Sequence, residues 1–145
     1  MSGSKRPEWT VSAVVEATVD ETWQALIHSF PGLSKKAGQV SPGRGVQHIT
    51  ATPDGETVEW SFEVDADQHV IGLQGSWWYR GEHAVVPHQR GSAITYSVYN
   101  VAPGGTRWLV GVTERGSETR LKGEFQQLIS DVGNRLGCRV TYSAG

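Results

Sequence analysis

Apolar residues along the chain recur with two different periods, and the change of period divides the chain into strands and helices. Residues 9–17 alternate in a way that predicts a strand, with one face made of Val11, Ala13, Val15 and Ala17. Residues 18–30 change to a helical stripe, formed by Trp23, Leu26, Ile27 and Phe30. Asp20 is the predicted N-cap of this helix, and Pro31 ends it. Residues 33–38 predict one further helical turn.

The middle of the chain alternates between apolar and polar residues, as in an antiparallel sheet that buries one face. A predicted two-residue turn at Asp54–Gly55 joins the first two strands, residues 46–51 and 56–64. The pairs set by this turn are Ile49 with Trp60 and Gln47 with Phe62. The apolar face of the second strand consists of Val58, Trp60, Phe62 and Val64. A third strand is predicted over residues 69–75.

The last periodic segment, residues 117–136, predicts the longest helix of the chain. Its apolar positions trace one helical face and are Leu121, Phe125, Leu128, Ile129, Val132 and Leu136. Gly137 stands where a left-handed C-cap would lie, and residues 138–145 are interpreted as a short tail. Residues 104–116 show no clear strand. The predicted sheet therefore has six or seven strands.

The hairpin of residues 76–101 is rich in aromatic and polar residues. A turn centred on residues 88–91 pairs Tyr79 with Asn100 and His83 with Tyr96. The same register gives the further pairs Trp77 with Ala102, Gly81 with Val98, and Val85 with Ile94. The opposite face contains both charges, Arg80 and Glu82, and is expected to face solvent together with Trp78 and Tyr99, with Arg80 near the Tyr99 ring. A slip of one residue would reverse these faces.

The element order, together with two local motifs, resembles the helix-grip fold of the START/Bet v 1-like superfamily, also called SRPBCC. The motifs are VVEATVDETWQALI, a strand followed by a helix, and VVPHQRGSAITYSV, a strand, a turn and the next strand. WWYRGEH and VYNVA further resemble a bacterial subgroup of that superfamily, and the chain as a whole resembles a small bacterial, polyketide cyclase/dehydrase-like member. The resemblance implies an α+β fold in which a curved antiparallel sheet wraps around the C-terminal helix. Such folds enclose a cavity for an apolar small molecule and serve cyclases, lipid carriers and hormone receptors alike.

Composition restricts the remaining classes. The 145 residues suffice for one domain, predicted over residues 9–145 after a disordered lead-in of residues 1–8. The net charge of −2 supplies no basic face for nucleic acid, and no apolar stretch is long enough for membrane insertion. Cys138 is the only cysteine, which is typical of a reducing, cytoplasmic setting. No cofactor is predicted.

The inward face of the last hairpin carries the candidate chemistry. Its polar groups form the predicted catalytic set, which is His83, Tyr79, Tyr96 and Asn100. The predicted ligand-binding set is Trp60, Phe62, Trp77, Val98, Phe125 and Ile129. The polar groups could instead satisfy one another in an ordinary buried network. The other histidines, at 28, 48, 69 and 88, are expected in solvent, and no metal site is predicted because none of them shares a face with suitable ligands.

Two function hypotheses fit this pattern. In the first, the protein is a cofactor-independent cyclase or dehydratase in which His83 moves a proton and Asn100 or a tyrosine donates to an enolate oxygen. In the second, the same residues only orient a small hydrophobic or aromatic ligand, a lipid or an apolar metabolite, in a carrier or sensor. A weaker third hypothesis is a partner or homodimer surface anchored by Trp78 and Tyr99.

Overall fold

The computed structural model describes residues 6–41, 45–53, 57–75 and 77–143, with residues 111 and 112 described by their backbone only. In chain order the elements are β1 (Trp9–Val15), α1 (Val19–Ser29), a 3₁₀ segment (Leu33–Gln39), β2 (Val46–Ala51), β3 (Trp60–Asp65), β4 (Val70–Gly75), β5 (Tyr79–His88), β6 (Gly91–Asn100), a second 3₁₀ segment (Gly104–Thr106), α2 (Arg107–Thr113), α3 (Ser117–Leu136) and β7 (Val140–Ser143).

The seven strands form one antiparallel sheet in the order β2-β3-β4-β5-β6-β1-β7. The curved sheet and the long C-terminal helix are the architecture of the helix-grip fold, so the predicted fold class is confirmed. The seventh strand, β7, follows α3 in the chain and pairs with β1, with Val140 opposite Val15. The interpretation of residues 138–145 as a tail is therefore wrong over Val140–Ser143. Four residues carry too short an alternation to indicate a strand without their partner.

Helix α1 begins with a capping box, which keeps two backbone N–H groups at its start hydrogen-bonded. The Thr18 side chain accepts from the Glu21 N–H at 3.1 Å, and the Glu21 carboxylate accepts from the Thr18 N–H at 3.1 Å. The Thr18 hydroxyl also donates to the Glu21 carboxylate at 3.0 Å, and the bonds that this carboxylate accepts from the Thr18 N–H and hydroxyl lower the pKa of Glu21. The N-cap is thus Thr18, and the prediction of Asp20 as the cap is wrong. The helical stripe of Trp23, Leu26 and Ile27 is buried as predicted.

The predicted register of the last hairpin is confirmed from Tyr79 opposite Asn100 to Val85 opposite Ile94. Its two-residue turn is followed by Gly91, whose φ is +133°, and a Cβ there would lie 2.6 Å from the Ala17 carbonyl oxygen. The register fails at the other end of the hairpin. Because β5 begins at Tyr79, the alternation does not extend to the two tryptophans before it.

Trp77 and Trp78 therefore lie on the opposite sides from those predicted. Trp77 is 41% exposed, whereas Trp78 is 5% exposed. Trp78 is therefore too buried to anchor the predicted partner or homodimer surface. The Trp78 carbonyl accepts from the Val101 N–H at 2.7 Å. The inward position of Trp77, its pairing with Ala102 and the exposed position of Trp78 were all wrong predictions.

The hairpin of β2 and β3 has the predicted buried face but a different register. Ile49 lies opposite Phe62, and Ala51 lies opposite Trp60, two residues away from the predicted pairing. The predicted turn at residues 54–55 lies outside the described residues. Val58 precedes β3 and is 64% exposed, so it does not belong to the apolar face. Because the shift is by two residues, every side chain of the strand keeps its predicted side.

Helix α3 spans the predicted residues, Ser117–Leu136, and ends at Gly137 in the left-handed conformation. Its buried face packs into the core; the members of that face are Leu121, Phe125, Leu128, Ile129 and Val132. Gly133 allows β7 to come close, since a Cβ there would lie 2.9 Å from the Val140 Cγ1 atom. Of the predicted lead-in, residues 1–5 lie outside the described residues, while the Glu8 N–H donates to the Val98 carbonyl at 2.7 Å.

Candidate ligand-binding site

Three polar aromatic side chains lie together beneath α3 on the inner face of the sheet. Tyr79 and His83 share this face because they are four residues apart on β5, and Tyr96 lies opposite His83 on β6. The His83 and Tyr96 rings are stacked, with their centroids 4.2 Å apart. The edge of Phe30 meets the His83 ring at 4.8 Å, and Phe125 of α3 stacks on Tyr96 at 5.4 Å.

The hydroxyls of Tyr79 and Tyr96 form a hydrogen bond of 2.6 Å. Gly81 makes this contact possible, because a Cβ at that position would overlap the Tyr79 hydroxyl and lie 2.8 Å from its Cζ atom. Burial raises the pKa of Tyr79 to about 12, and burial also raises that of Tyr96. Both phenols therefore remain protonated and act as neutral hydrogen-bonding groups at neutral pH.

His83 is buried and lacks a hydrogen-bond partner at one ring nitrogen. His83 is 4% exposed. Its Nδ1 atom has no hydrogen-bond partner, and among the described residues no other buried side-chain nitrogen or oxygen is in this state. Burial lowers the pKa of His83 to about 3, so the imidazole is neutral at physiological pH. A buried polar atom left unpaired costs about 1–3 kcal/mol. A partner from outside the protein would recover part of that cost.

The first cavity, of about 200 Å³, lies between the end of α1, helix α3 and this part of the sheet. Its apolar and aromatic lining consists of Phe30, Pro31, His83, Tyr96, Leu121, Phe125 and Leu128. Its remaining lining is polar and comprises Ser29, Glu124, Gln127 and Asp131. Since Glu124, Gln127 and Asp131 are exposed and Ser29 is only partly buried, the cavity opens to solvent between the two helices.

The second cavity, of about 240 Å³, lies on the other side of the tyrosine pair. It is lined by Trp60, Leu73, Gly75, Trp78, Tyr79, Glu114, Arg120 and Leu121. Leu121 contributes to both cavities, whereas Tyr96 lines the first and Tyr79 lines the second. The Leu121 side chain therefore borders both cavities, and the two hydrogen-bonded tyrosines border one cavity each.

The structure brings together only part of the predicted catalytic set. Tyr79, His83 and Tyr96 are in contact, but Asn100 hydrogen-bonds to backbone instead. Its Nδ2 donates to the Arg107 carbonyl at 3.1 Å, and its Oδ1 accepts from the Ala102 N–H at 3.0 Å. Asn100 thus supports the chain that leads into α2, and these contacts do not match the predicted role of donor to a ligand oxygen.

The predicted ligand-binding residues fall into three groups. Phe125 lines the first cavity, and Trp60 lines the second. Fully buried residues that line neither cavity are Phe62, Val98 and Ile129. Trp77 is exposed and is replaced at the second cavity by Trp78. Leu121 and Leu128 were not predicted as lining residues, although their place on the apolar stripe of the last helix was the available signal.

On the outer face of the sheet, Arg80 bonds to two carboxylates. Its guanidinium lies 2.6 Å from the Glu63 carboxylate and 3.0 Å from that of Glu82. Gly72 leaves room for it, because a Cβ there would lie 2.7 Å from Arg80 Nη2. The solvent-facing position of this charged pair agrees with the predicted register. The Arg80 guanidinium was predicted to lie near the Tyr99 ring, and in the structure it bonds to these two carboxylates.

The remaining histidines do not form a site. His28 Nδ1 lies 2.8 Å from the Gln24 carbonyl, and His88 Nδ1 accepts from the Arg90 N–H at 3.0 Å. His69 is less solvated than predicted, because its ring packs edge-on against Trp23 at 5.4 Å. Within the described part of the chain, no group of three or more His, Cys, Asp or Glu side chains is arranged to hold a metal ion. No described helix is both long and apolar enough to cross a membrane.

Comparisons with known proteins find structural likeness only. No protein-family model matches the chain, and no curated protein matches it. Norcoclaurine synthase from Thalictrum flavum, in complex with dopamine and hydroxybenzaldehyde, is 20% identical over 92% of this chain and 88% of its own, with a TM-score of 0.48. The truncated form of that enzyme is 20% identical over 90% and 97%, with a TM-score of 0.46. Ara h 8.0201 is 16% identical over 87% and 95%, with a TM-score of 0.48. Likeness at this level carries no conclusion about ligand or activity.

Proposed function

We propose that the protein binds a small hydrophobic, aromatic molecule in the cavity above His83 and Tyr96, and that the ligand carries a group able to hydrogen-bond with the imidazole. The observation that supports this most is the unpartnered Nδ1 of His83, a neutral and buried polar atom in a residue that lies among the apolar and aromatic residues lining the cavity. Pockets of this kind combine apolar walls with a few polar groups that orient the ligand.

Of the two functions, we favour a carrier or sensor over an acid–base enzyme, because the polar groups of the site are buried. A general acid or base works best with a pKa near the operating pH, whereas burial lowers the pKa of His83 to about 3 and raises that of Tyr79 to about 12. Both groups are therefore better suited to neutral hydrogen bonding than to proton transfer at pH 7.

A second candidate function is proton-transfer catalysis of the polyketide cyclase or dehydratase kind. The observation in its favour is the ring contact between His83 and Tyr96, which places an imidazole and a phenol beside one cavity. Catalysis would require the ligand itself to raise the pKa of His83. The dimer surface anchored by Trp78 is not proposed, since Trp78 is buried.

Binding can be tested with a matched pair of ligands, phenol and toluene, which differ by the hydroxyl group. We expect phenol to bind wild-type protein more tightly than toluene does, and His83→Phe to weaken phenol by about two- to twelve-fold, the equivalent of one hydrogen bond. Toluene should bind both proteins about equally, because phenylalanine preserves the aromatic contacts with Phe30 and Tyr96. His88→Phe, at the exposed hairpin turn, is the matched control and should change neither affinity.

The same preparation identifies the natural ligand. Native mass spectrometry of freshly purified protein should show a bound small molecule, and its mass supplies the compound for turnover assays. Turnover that falls by about 10²- to 10⁴-fold in His83→Ala would favour catalysis over carriage. Failure of both phenol and toluene to bind would contradict the proposed function.

A further inference from the structure

The two cavities are separated by very little protein. Leu121 lines both of them, Tyr96 lines the first, Tyr79 lines the second, and the two tyrosine hydroxyls are 2.6 Å apart. At about 200 and 240 Å³, each cavity is comparable to one that holds a single ring, since an apolar cavity of about 150 Å³ binds benzene. Together they reach the range of about 300–1,000 Å³ that is typical of small-molecule sites.

The hydroxyl pair has hydrogen-bonding capacity that the protein does not use. Each phenol has one O–H donor and can also accept. In a bond between two hydroxyls only one O–H proton is donated, so the other proton needs a different acceptor. Among the described residues no further hydrogen bond of Tyr79 or Tyr96 is found. One O–H donor and the oxygen lone pairs of the pair thus remain for a ligand between the cavities.

We infer that the two cavities are halves of one site, and that its ligand is an elongated molecule with an apolar or aromatic group in each half and a hydroxyl or carbonyl oxygen between them. This assignment of ligand class rests on the proposed function. The central oxygen would bond to the Tyr79 and Tyr96 hydroxyls, and Leu121 would move aside to admit the linking atom. Leu121 lies near the N-terminal end of α3, and its apolar side chain has no hydrogen bond to lose when it moves.

Benzhydrol is a suitable probe because a hydroxyl-bearing carbon joins its two phenyl rings. In wild-type protein with labelled methyl groups, we expect nuclear Overhauser effects from benzhydrol to Leu128, which lines the first cavity alone, and to Leu73, which lines the second alone. Phenol, with one ring, should contact one of these leucines. Benzhydrol contacts with only one of the two would overturn the two-part site. This measurement needs no variant and so does not depend on the folding of one.

Substitutions that fill one half provide a second test. Leu128→Phe and Leu73→Phe should each weaken benzhydrol by roughly ten-fold or more, because either ring loses its space. Phenol should be sensitive to only one of them. Val86→Phe is the matched control, since Val86 is 39% exposed on β5 and lines neither cavity. If benzhydrol were sensitive to only one filling substitution, the inference would be wrong.

The role of the central oxygen is tested with diphenylmethane, which lacks the hydroxyl of benzhydrol. Wild-type protein should prefer benzhydrol by about two- to twelve-fold, and the preference should disappear when Tyr79 and Tyr96 are both changed to phenylalanine. Equal affinities in wild-type protein would overturn this role. Binding of phenol with single-cavity contacts by benzhydrol would contradict the two-part site but leave the proposed function intact. Binding of neither compound would overturn both.

Discussion

Gly81→Ala should destabilise the protein because it removes the space that the Tyr79 side chain occupies. The added Cβ would overlap the Tyr79 hydroxyl, lie 2.8 Å from its Cζ atom and lie 3.0 Å from Tyr96 Cε1. Gly81 is not among the described glycines with positive φ, so alanine meets no backbone strain. The cost therefore arises from the side chains alone, and the Tyr79 ring must leave its position above β5.

The magnitude follows from two costs and one gain. Overpacking a buried site costs about 1–3 kcal/mol, and loss of the Tyr79–Tyr96 hydrogen bond costs about 0.5–1.5 kcal/mol. Replacing a strand glycine by alanine otherwise gains about 0.5–1 kcal/mol. We expect the free energy of unfolding to fall by about 0.5–4 kcal/mol. Gly75→Ala in β4 is the matched control, because a Cβ there meets nothing within 4 Å and should leave stability unchanged or slightly higher.

Urea unfolding followed by circular dichroism measures both variants, and a double-mutant cycle identifies the cause. In a Tyr79→Ala background, Gly81→Ala should no longer destabilise, because the atoms that it overlaps are absent. The reasoning would be refuted if Gly81→Ala and Gly75→Ala had the same effect, or if the cost of Gly81→Ala persisted without the Tyr79 ring.

Three further predictions concern the core, the buried imidazole and the first helix. Phe125→Asp should prevent cooperative folding, because Phe125 is 1% exposed and the substitution buries an unpaired charge; an unchanged melting temperature would contradict the packing of α3. The pKa of His83 is about 3 in the folded protein, whereas that of an unfolded histidine is about 6.5. Only the unfolded chain therefore takes up a proton at this residue as the pH falls below 6.5. Stability that is present above pH 6.5 is lost as the pH falls toward 3. The loss should reach at most about 1.4 kcal/mol per pH unit relative to His83→Phe, measured by urea unfolding between pH 7 and 5. Thr18→Ala should cost about 0.5–2 kcal/mol by removing the cap of α1, whereas Asp20→Ala should cost less, and equal losses on thermal unfolding would argue against the capping box.

Local periodicity was sufficient where an element is long and its pattern is uninterrupted. The limits of α3 could be predicted because six apolar positions and Gly137 agree on one helical face and one end. The register of β5 and β6 could be predicted because a two-residue turn leaves little freedom in how the strands pair. From this register alone, Tyr79, His83 and Tyr96 could be expected on one inward face.

The same reasoning failed where an element ends or depends on a distant partner. Periodicity does not report where β5 begins, so Trp77 and Trp78 were assigned to the wrong sides. Strand β7 has only four residues and is stabilised by pairing with β1, more than 120 residues earlier in the chain. The local sequence indicates neither the start of β5 nor the presence of β7, because both are set by hydrogen bonds to other strands.

The residue types of the site are a property of the sequence, whereas its chemistry depends on tertiary contacts. The sequence by itself determined that an imidazole and two phenols share the buried face of one hairpin, since alternation along a strand is a property of its backbone. Only the tertiary structure decided that Asn100 is occupied by backbone groups, that Gly81 admits the tyrosine hydroxyl bond, and that His83 Nδ1 lacks a partner. Each of those outcomes depends on where individual atoms lie in the packed fold, and residue spacing carries no information at that scale.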